Sequence, residues 1–443
     1  MCLSLVCCGV YGTYTRPQLD ISIDSLYTDP IDVDSTPTAH IPWRDFFTDS
    51  SLQSLIERAL ERNTDLAVAR LSVEQAQATL STARLQYLPS LSLDAQAGTS
   101  HFNGSTTSTY SAGISAQWEA DIFGNITTAQ RGSAEALRAQ IFYAQAVQTQ
   151  LIATVAETYC TLLMLDEQLA IARATAVNWE QTIATLQALT AAGRSNEVAV
   201  SQAQANHTAL MASIVSLEKT ISDTESQLCA LLKDPVHPIE RTSLNNQNFP
   251  EQIATGIPID LLTNRPDVRQ AEAELAQAFY LTNNARAAFY PRVTLGGTIG
   301  FTNSAGAVVN PGQWLTSAIA QLTAPLFNRG ANRANLEIAR ARQEQAVAMF
   351  GQAIINAAIQ VNDALTAVQT AEQLERLDIE QIKQLETACQ HTELLMRYTS
   401  YTYLEVLTAQ QSLLNAQLTL CHDQASHFIA LINLYHALGG GCY

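Results

Sequence analysis

The segment that decides the fold is Tyr110-Ser111-Ala112-Gly113-Ile114-Ser115-Ala116-Gln117-Trp118-Glu119. Every second residue, starting with Tyr110, is aromatic, aliphatic or alanine, and the residues between are Ser, Gly, Gln or Glu. Because successive side chains of a β-strand point to opposite faces of a sheet, this alternation predicts a strand with one apolar and one polar face. Tyr110 and Trp118 stand at the ends of the apolar face, where membrane strands carry aromatic residues.

Three further segments alternate in the same way, although the last of them does so less cleanly. We predict these strands near residues 90–98, 292–301 and 314–323. The polar stretches within each pair, 99–109 and 303–313, predict loops, and the first of them contains the turn-forming pair Asn103-Gly104.

The four strands belong to an internal repeat. A shift of 202 residues places Asp65 on Asp267 and Pro89 on Pro291. Shifts of 204 and 206 place Phe123 on Phe327 and Val200 on Val406, which small loop insertions explain. We therefore divide the chain into a leader (1–8), an N-terminal segment (9–50), a first repeat (51–232), a linker (233–256), a second repeat (257–438) and a tail (439–443).

The rest of each repeat has helical periodicity. Residues 51–87 predict one amphipathic helix ended by Pro89. The strand pairs are followed by long proline-free patterns, 125–191 and 332–397, each with a returning helix that ends near residue 232 or 438. Such long helices would each extend on the order of 100 Å at 1.5 Å per residue. The returning helices carry apolar residues at alternating spacings of three and four, which indicates coiled-coil packing.

Four strands cannot close a barrel, and an open sheet edge cannot face lipid. The chain could carry a small sheet on a soluble protein. Alternatively, strands from several copies could form one barrel, with apolar side chains outward and Ser, Thr, Gln and Gly lining the lumen. The aromatic residues on the apolar faces favour the barrel, which the long helical hairpins would continue as a tube.

Composition excludes several functions. The 443-residue chain has a net charge of −17, which disfavours nucleic-acid binding because phosphates require clustered Lys and Arg. Its eight cysteines form no Cys-x-x-Cys pair, and most of those beyond the N-terminus lie in helical patterns that predict small buried hydrophobic residues. No nucleophile–base set, metal-ligand spacing or phosphate loop is evident, so the sequence predicts no enzyme, no metal and no cofactor.

The N-terminus indicates lipid attachment. Leu5-Val6-Cys7-Cys8 resembles a bacterial lipobox, in which a cysteine is acylated and becomes the mature N-terminus. We expect acylation at Cys8, with Cys7 as the alternative, and we interpret residues 1–8 as a signal remnant.

A longer motif carries a family resemblance. Gly256-Ile257-Pro258-Ile259-Asp260-Leu261-Leu262-Thr263-Asn264-Arg265-Pro266-Asp267-Val268-Arg269-Gln270-Ala271-Glu272 resembles the signature of TolC-like outer membrane efflux proteins. It is similar to the lipoprotein branch that serves resistance-nodulation-division (RND) pumps. The supporting matches are residues 118–124, 285–291, 325–330 and 403–410.

The resemblance implies a mainly α-helical chain with a small membrane β-barrel. Three copies would form a 12-stranded outer membrane barrel continued by a 12-helix periplasmic α-barrel. The expected function is a passive duct for drugs or other small molecules in the outer membrane of a Gram-negative bacterium. Its partners would be outer membrane lipid, a periplasmic adaptor and an inner membrane RND pump. The alternatives are a duct for type I protein secretion and a coiled-coil surface protein.

The resemblance also implies site residues at the tips of the helical hairpins. Glu405 and Thr408 match positions that narrow the channel aperture, where Glu405 would form a carboxylate ring. Glu405 also fits a capping box that begins at Thr402, which is a purely structural role. The expected adaptor contacts are Gly193, Arg194, Ser195, Tyr398, Thr399, Ser400 and Tyr401.

Overall fold

A computed structural model of the chain describes residues 12–18, 41–247, 265–305, 308–398 and 403–442. Cys7, Cys8, residues 256–264 of the long motif, and Thr399, Ser400 and Tyr401 at the second tip lie outside this part. The chain divides into two compact units. The first comprises Met1–Ile21, Ala69–Tyr143 and Asp267–Ala353, and the second comprises Ser22–Val68, Ala144–Pro266 and Ile354–Tyr443.

The first unit contains one antiparallel sheet. Its strands are β1 (Ser90–Phe102), β2 (Ser105–Ala120), β3 (Arg292–Ala305) and β4 (Val308–Thr323), in the spatial order β1-β2-β3-β4. The register aligns Leu93, Ile114 and Ile299 across three strands, so the apolar residues share one face. These side chains are 78%, 56% and 58% exposed, respectively, so the described chain leaves its apolar sheet face uncovered.

The predicted loops are wrong because both strand pairs extend through them. β1 and β2 are joined only by Asn103 and Gly104, whose φ angles of 49° and 79° fit the two-residue turn favoured by hairpins. Residues 99–109 otherwise pair, for example Ser100 with Thr107. Similarly, β3 continues to Ala305 and β4 begins at Val308. Polar Ser and Thr suggested loops, but the ladder requires only backbone groups, and Thr fits a pleated strand well.

Glycines accommodate the irregular fourth strand and a close backbone contact. Leu315 and Ile319 occupy the otherwise polar face, and their register partners in β3 are Gly300 and Gly296. Gly300 also pairs with Gly113 of β2, where an added Cβ on Gly113 would lie 2.8 Å from the Gly300 Cα. Side chains at these two positions would therefore separate β2 from β3.

The predicted helix over residues 51–87 is in fact two helices, α2 (Ser50–Arg62) and α3 (Thr64–Leu85). Asn63 between them has ψ 134°, and its side-chain oxygen accepts hydrogen bonds from the amides of Asp65 (2.9 Å) and Leu66 (3.1 Å). A side chain that caps a new helix competes with the continuing backbone ladder, which explains the break.

The long helices follow the predicted pattern. They are α4 (Asn125–Ala191) and its return α5 (Glu197–Leu231), then α7 (Ala331–Tyr398) and its return α8 (Tyr403–Ala437). Helix α6 (Pro266–Ala287) precedes β3 and begins at a proline, as the first helical position permits. Within the described ranges, no helix has both the length and the apolar character required to cross a membrane.

The second unit has the main hydrophobic core. A short helix, α1 (Trp43–Phe46), contributes Phe46, whose ring stacks on Tyr435 of α8 with centroids 4.1 Å apart. The core continues through Tyr159 and Cys160 of α4, both fully buried. Four cysteines, at positions 160, 229, 389 and 421, are buried free thiols, which confirms the sequence prediction for these residues.

Candidate functional site at the tips of the helical hairpins

The first tip is a helix end closed by its own backbone. The Gly193 amide donates to the Thr190 carbonyl (3.0 Å) and the Arg194 amide donates to the Leu189 carbonyl (2.9 Å). These two bonds form a Schellman motif, which requires a left-handed residue, and Gly193 supplies it with φ 71°. Asn196 then caps α5, because its side-chain oxygen accepts from the Ala199 amide at 3.0 Å. The turn between α4 and α5 is therefore fixed by local hydrogen bonds.

The predicted contact residues of this tip differ in exposure. Gly193 and Arg194 are exposed, and Ser195 is half-buried. An added Cβ on Gly193 would meet no atom within 4 Å, so the surface here is open. At the second tip, Tyr398 ends α7 and Tyr403 begins α8, with the intervening residues outside the described part.

Glu405 and Thr408 lie on the exposed side of the first turns of α8. Residues three apart on a helix are neighbours, so the two side chains share one face. The adjacent Val406 and Leu407 are only 2% and 4% exposed. The start of α8 therefore presents an exposed side, which also includes Leu404 (57% exposed), and a packed side.

The packed face brings the two tips together. Leu407 belongs to a buried cluster that contains Leu186 of α4 and Ala199, Val200 and Ala203 of α5. The first-turn residue Tyr403 packs against the same cluster. The positions of Glu405 and Thr408 are thus set by apolar contacts with the first hairpin.

A polar groove follows the tips and was not predicted from the sequence. Gln410 of α8 donates to the Thr182 hydroxyl of α4 (3.3 Å) and to the Glu393 carboxylate of α7 (3.4 Å). The Trp179 indole N–H and the Gln410 side-chain oxygen have no hydrogen-bond partner among the described residues. Gln410 lies beside the apolar seam of α8. Thr182 is 228 residues from it in the sequence and Glu393 is 17 residues from it, so the helical periodicity did not predict this groove.

Asp49 ties the start of α2 to the segment that follows α5. One carboxylate oxygen accepts hydrogen bonds from Tyr159 (2.8 Å), Thr242 (2.6 Å) and Gln247 (2.7 Å). The other accepts from the Ser51 amide at 2.8 Å and caps α2. Burial alone would raise the pKa of Asp49, but these four hydrogen bonds lower it below its ordinary value.

Arg241 attaches the segment after α5 to the first hairpin through ion pairs. Its guanidinium binds Asp166 of α4, with one N–H···O distance of 2.9 Å, and Glu225 of α5 at 2.5 Å. Hydrogen bonds to these carboxylates raise the pKa of Arg241 further, so it stays charged. The segment after α5 is therefore fastened to both helices of the first hairpin.

Two acidic side chains meet within the second hairpin. Asp378 of α7 is buried, and one of its oxygens has no hydrogen-bond partner in the described chain. Burial, a hydrogen bond to Asp423 of α8 and the charge of Asp423 raise the pKa of Asp378. The described residues contain no group of three or more His, Cys, Asp or Glu that could hold a metal ion.

The comparisons with known proteins agree with this architecture. The chain is similar to the pyoverdine export outer membrane protein OpmQ of Pseudomonas putida, with 32% identity over 99% of this chain and 96% of that protein. It is 28% identical to the cation efflux system protein CusC of Escherichia coli K12, over 99% of this chain and 97% of that protein.

Solved structures give the same result. The open state of the MtrE outer membrane channel of Neisseria gonorrhoeae superposes with a TM-score of 0.89 and 26% identity, covering 98% of this chain and 99% of that chain. The family model for outer membrane efflux proteins matches residues 55–232 and 257–440. Because that match takes in most of the chain, the protein belongs to the outer membrane efflux protein family.

Proposed function

We propose that three copies of this chain form one passive duct, the outer membrane component of a tripartite RND-type efflux pump. Family membership confirms the resemblance drawn from the sequence, and with it an outer membrane efflux function without catalysis.

The observation that carries the proposal is the four-stranded sheet. Its apolar face is uncovered, as Leu93 and Trp314, both 78% exposed, illustrate. Both edge strands, β1 and β4, lack a second partner within the described residues. Three such sheets joined edge to edge would give a closed 12-stranded barrel without free edges, and the apolar faces would lie against lipid.

The hairpins supply the periplasmic part of the proposed duct. The four long helices of each copy would give a 12-helix α-barrel, with the hairpin tips at its end. An adaptor would contact the exposed residues of the first tip, Gly193 and Arg194, together with Ser195. The second tip would contribute Tyr398, Thr399, Ser400 and Tyr401. Acylation of Cys8 would add a lipid anchor in the outer membrane.

Glu405 and Thr408 would line the aperture. Threefold symmetry would repeat the Glu405 carboxylate three times around the axis, and a carboxylate ring favours cations over anions. The exposed position of Glu405 supports this role, and the burial of its neighbours Val406 and Leu407 would hold the ring in place.

The proposal is tested with the full-length protein purified in detergent and reconstituted in lipid. We expect a trimer by native mass spectrometry and conductance that favours cations. Glu405→Gln should reduce cation selectivity. Glu386→Gln removes the same charge from an exposed site on α7 and should leave selectivity unchanged. A monomer that is soluble without detergent would contradict the proposed duct. If the two variants have equal selectivity, Glu405 has only a capping role at the start of α8 and does not line the aperture.

A further inference from the structure

One aromatic contact beside the sheet has no counterpart among the described residues, although the internal repeat predicts one. Phe123 follows β2 by three residues, and its ring stacks on Tyr290, with centroids 5.2 Å apart and planes 23° apart. Tyr290 precedes β3 by two residues, and β2 pairs with β3. The contact therefore closes the end of the β2–β3 pair.

The two residues related to this pair by the repeat lie at opposite edges of the sheet and are both exposed. The shifts that define the repeat place Phe123 on Phe327, after β4, and Tyr290 on Leu88, before β1. Phe327 is 86% exposed and Leu88 is 61% exposed. Each side chain lies at the end of an edge strand, as Phe123 and Tyr290 lie at the ends of the central strands.

On the basis of the proposed trimer, we infer that Phe327 of one copy packs against Leu88 of the next copy, where β4 of the first copy pairs with β1 of the second. The contact between subunits then repeats the contact that Phe123 and Tyr290 make within a subunit. The occupant of this surface is a second copy of the same chain, because its β1 is an edge strand among the described residues and carries the exposed Leu88 just before its start.

The receiving turn is already shaped for such a contact. The Tyr87 carbonyl accepts a hydrogen bond from the Trp118 indole (2.9 Å), and the Tyr87 hydroxyl donates to Thr127 (2.8 Å). These bonds fix the backbone beside Leu88 and leave the Leu88 side chain outward. Docking at this site would require little reorganisation of the receiving chain.

The donating turn is also constrained. Arg329 and Gly330, directly after the turn, have φ angles of 57° and 83°. The Asn328 side chain donates to the Asn332 side chain of α7 at 2.7 Å. Leu326 is 96% exposed and aligns with Ile122 of the first repeat. Ile122 is still 42% exposed, although its neighbour Phe123 is stacked on Tyr290. We therefore expect the covering chain to bury Phe327 more than Leu326.

The apolar faces of the two edge strands agree with this pairing. The register places Leu93 of β1 and Trp314 of β4 on the same face of the sheet. The apolar face carries the odd-numbered residues of β1 and the even-numbered residues of β4, such as Leu322. When β4 pairs antiparallel with β1 of the next copy, this face stays continuous if Leu322 lies opposite an odd-numbered residue of β1. A slip by one residue would place apolar side chains on the polar face, which disfavours the alternative.

The contact is tested by thiol cross-linking of the full-length protein in lipid vesicles. Phe327→Cys combined with Leu88→Cys, treated with a short bis-thiol reagent, should give linked dimers and trimers on a denaturing gel. The wild-type chain, which has its own free cysteines, measures the background. Phe123→Cys combined with Tyr290→Cys is the matched control and should link within one chain, leaving the monomer band at its position.

A second control distinguishes contact from exposure. Leu71 is 54% exposed on α3, similar to Leu88, and Phe327→Cys with Leu71→Cys should not link beyond background. Phe327→Ser should lower the temperature at which the trimer dissociates, whereas Leu326→Ser should lower it less. A trimer by mass without the Phe327–Leu88 link overturns this inference alone, and absence of a trimer overturns the proposed function.

Discussion

Replacing Asp49 should loosen the start of α2 and the segment after α5 together. The Asp49 carboxylate accepts three side-chain hydrogen bonds, from Tyr159, Thr242 and Gln247, and one from the Ser51 amide. In Asp49→Ala all four donors lose this acceptor. The Tyr159 hydroxyl retains a neighbour, since it also accepts from the Thr242 amide at 3.2 Å, so part of the network can re-form.

The magnitude follows from these contacts. Hydrogen bonds to a charged group contribute about 1.5–3 kcal/mol each when buried, and the half-buried site and the residual Thr242 contact reduce the sum. Loss of an N-cap alone costs about 1 kcal/mol. We expect a total of about 3 kcal/mol for Asp49→Ala, which corresponds to roughly a hundredfold change in a local opening equilibrium. Asp49→Asn keeps an acceptor oxygen and should lose about half as much, on the same scale.

Hydrogen exchange measures this change locally. Amides of residues 50–62 and 241–247 should exchange about a hundredfold faster in Asp49→Ala if local opening controls their exchange. Asp45→Ala is the control, because Asp45 is an exposed carboxylate four residues away. Unchanged protection in Asp49→Ala would refute the reasoning, since the four bonds would then contribute nothing to holding these segments.

The pH dependence has a defined sign. The folded-state pKa of Asp49 lies below its ordinary value, so its contribution is complete above the unfolded-state pKa of about 3.9. That contribution is lost as pH falls through the lower folded-state pKa. Wild-type and Asp49→Asn proteins should therefore differ in protection at pH 6 and converge in strong acid. A difference that grows on acidification contradicts the assignment.

Two further perturbations test the hairpins. The pKa of Asp378 is raised beside Asp423, so the folded state favours the protonated form and loses stability as pH rises through that pKa. Asp378→Asn should therefore raise the unfolding temperature at pH 7 and change it little at pH 4. A lower unfolding temperature at pH 7 would contradict this. Gly193→Ala places a Cβ in open space but at φ 71°, so it should cost about 1–2 kcal/mol from backbone strain alone. Gly193→Asn should cost less, because Asn tolerates the left-handed region; hydrogen exchange at the first tip measures both, and equal protection in all three proteins contradicts a strained turn.

Periodicity predicted the elements that bury or expose one continuous face. The strands of both repeats and the long helices follow it, because a period of 2 or 3.6 persists over many residues. The Schellman turn at Gly193 was also predictable, since it depends on one residue and its immediate neighbours. Residues 99–109 were not, because a polar strand and a polar loop have similar composition. Asn63 shows a related limit, since a single cap broke a helix whose apolar pattern continued.

The long-range side-chain contacts of the second unit were beyond the reach of the sequence. Asp49 contacts residues 110, 193 and 198 positions away, and no local pattern specifies such partners. Gln410 likewise bridges α4 and α7. The exposed face with Glu405 was predicted only through resemblance, because an acidic residue in the first turn of a helix is equally typical of a capping box.

The two repeats have the same architecture, but their tips differ chemically. The shift that aligns Val200 with Val406 aligns Ala199 with Glu405. Ala199 is fully buried and receives the Asn196 cap through its amide, whereas Glu405 is exposed. In the proposed trimer the charge therefore recurs three times, although six helices return from the tips. A sixfold ring would require the first repeat to expose an acid where its hairpin buries a methyl group against Leu407. The packing that joins the two tips thus excludes an acid at position 199, so in the proposed trimer the repeat places this particular carboxylate on α8 alone.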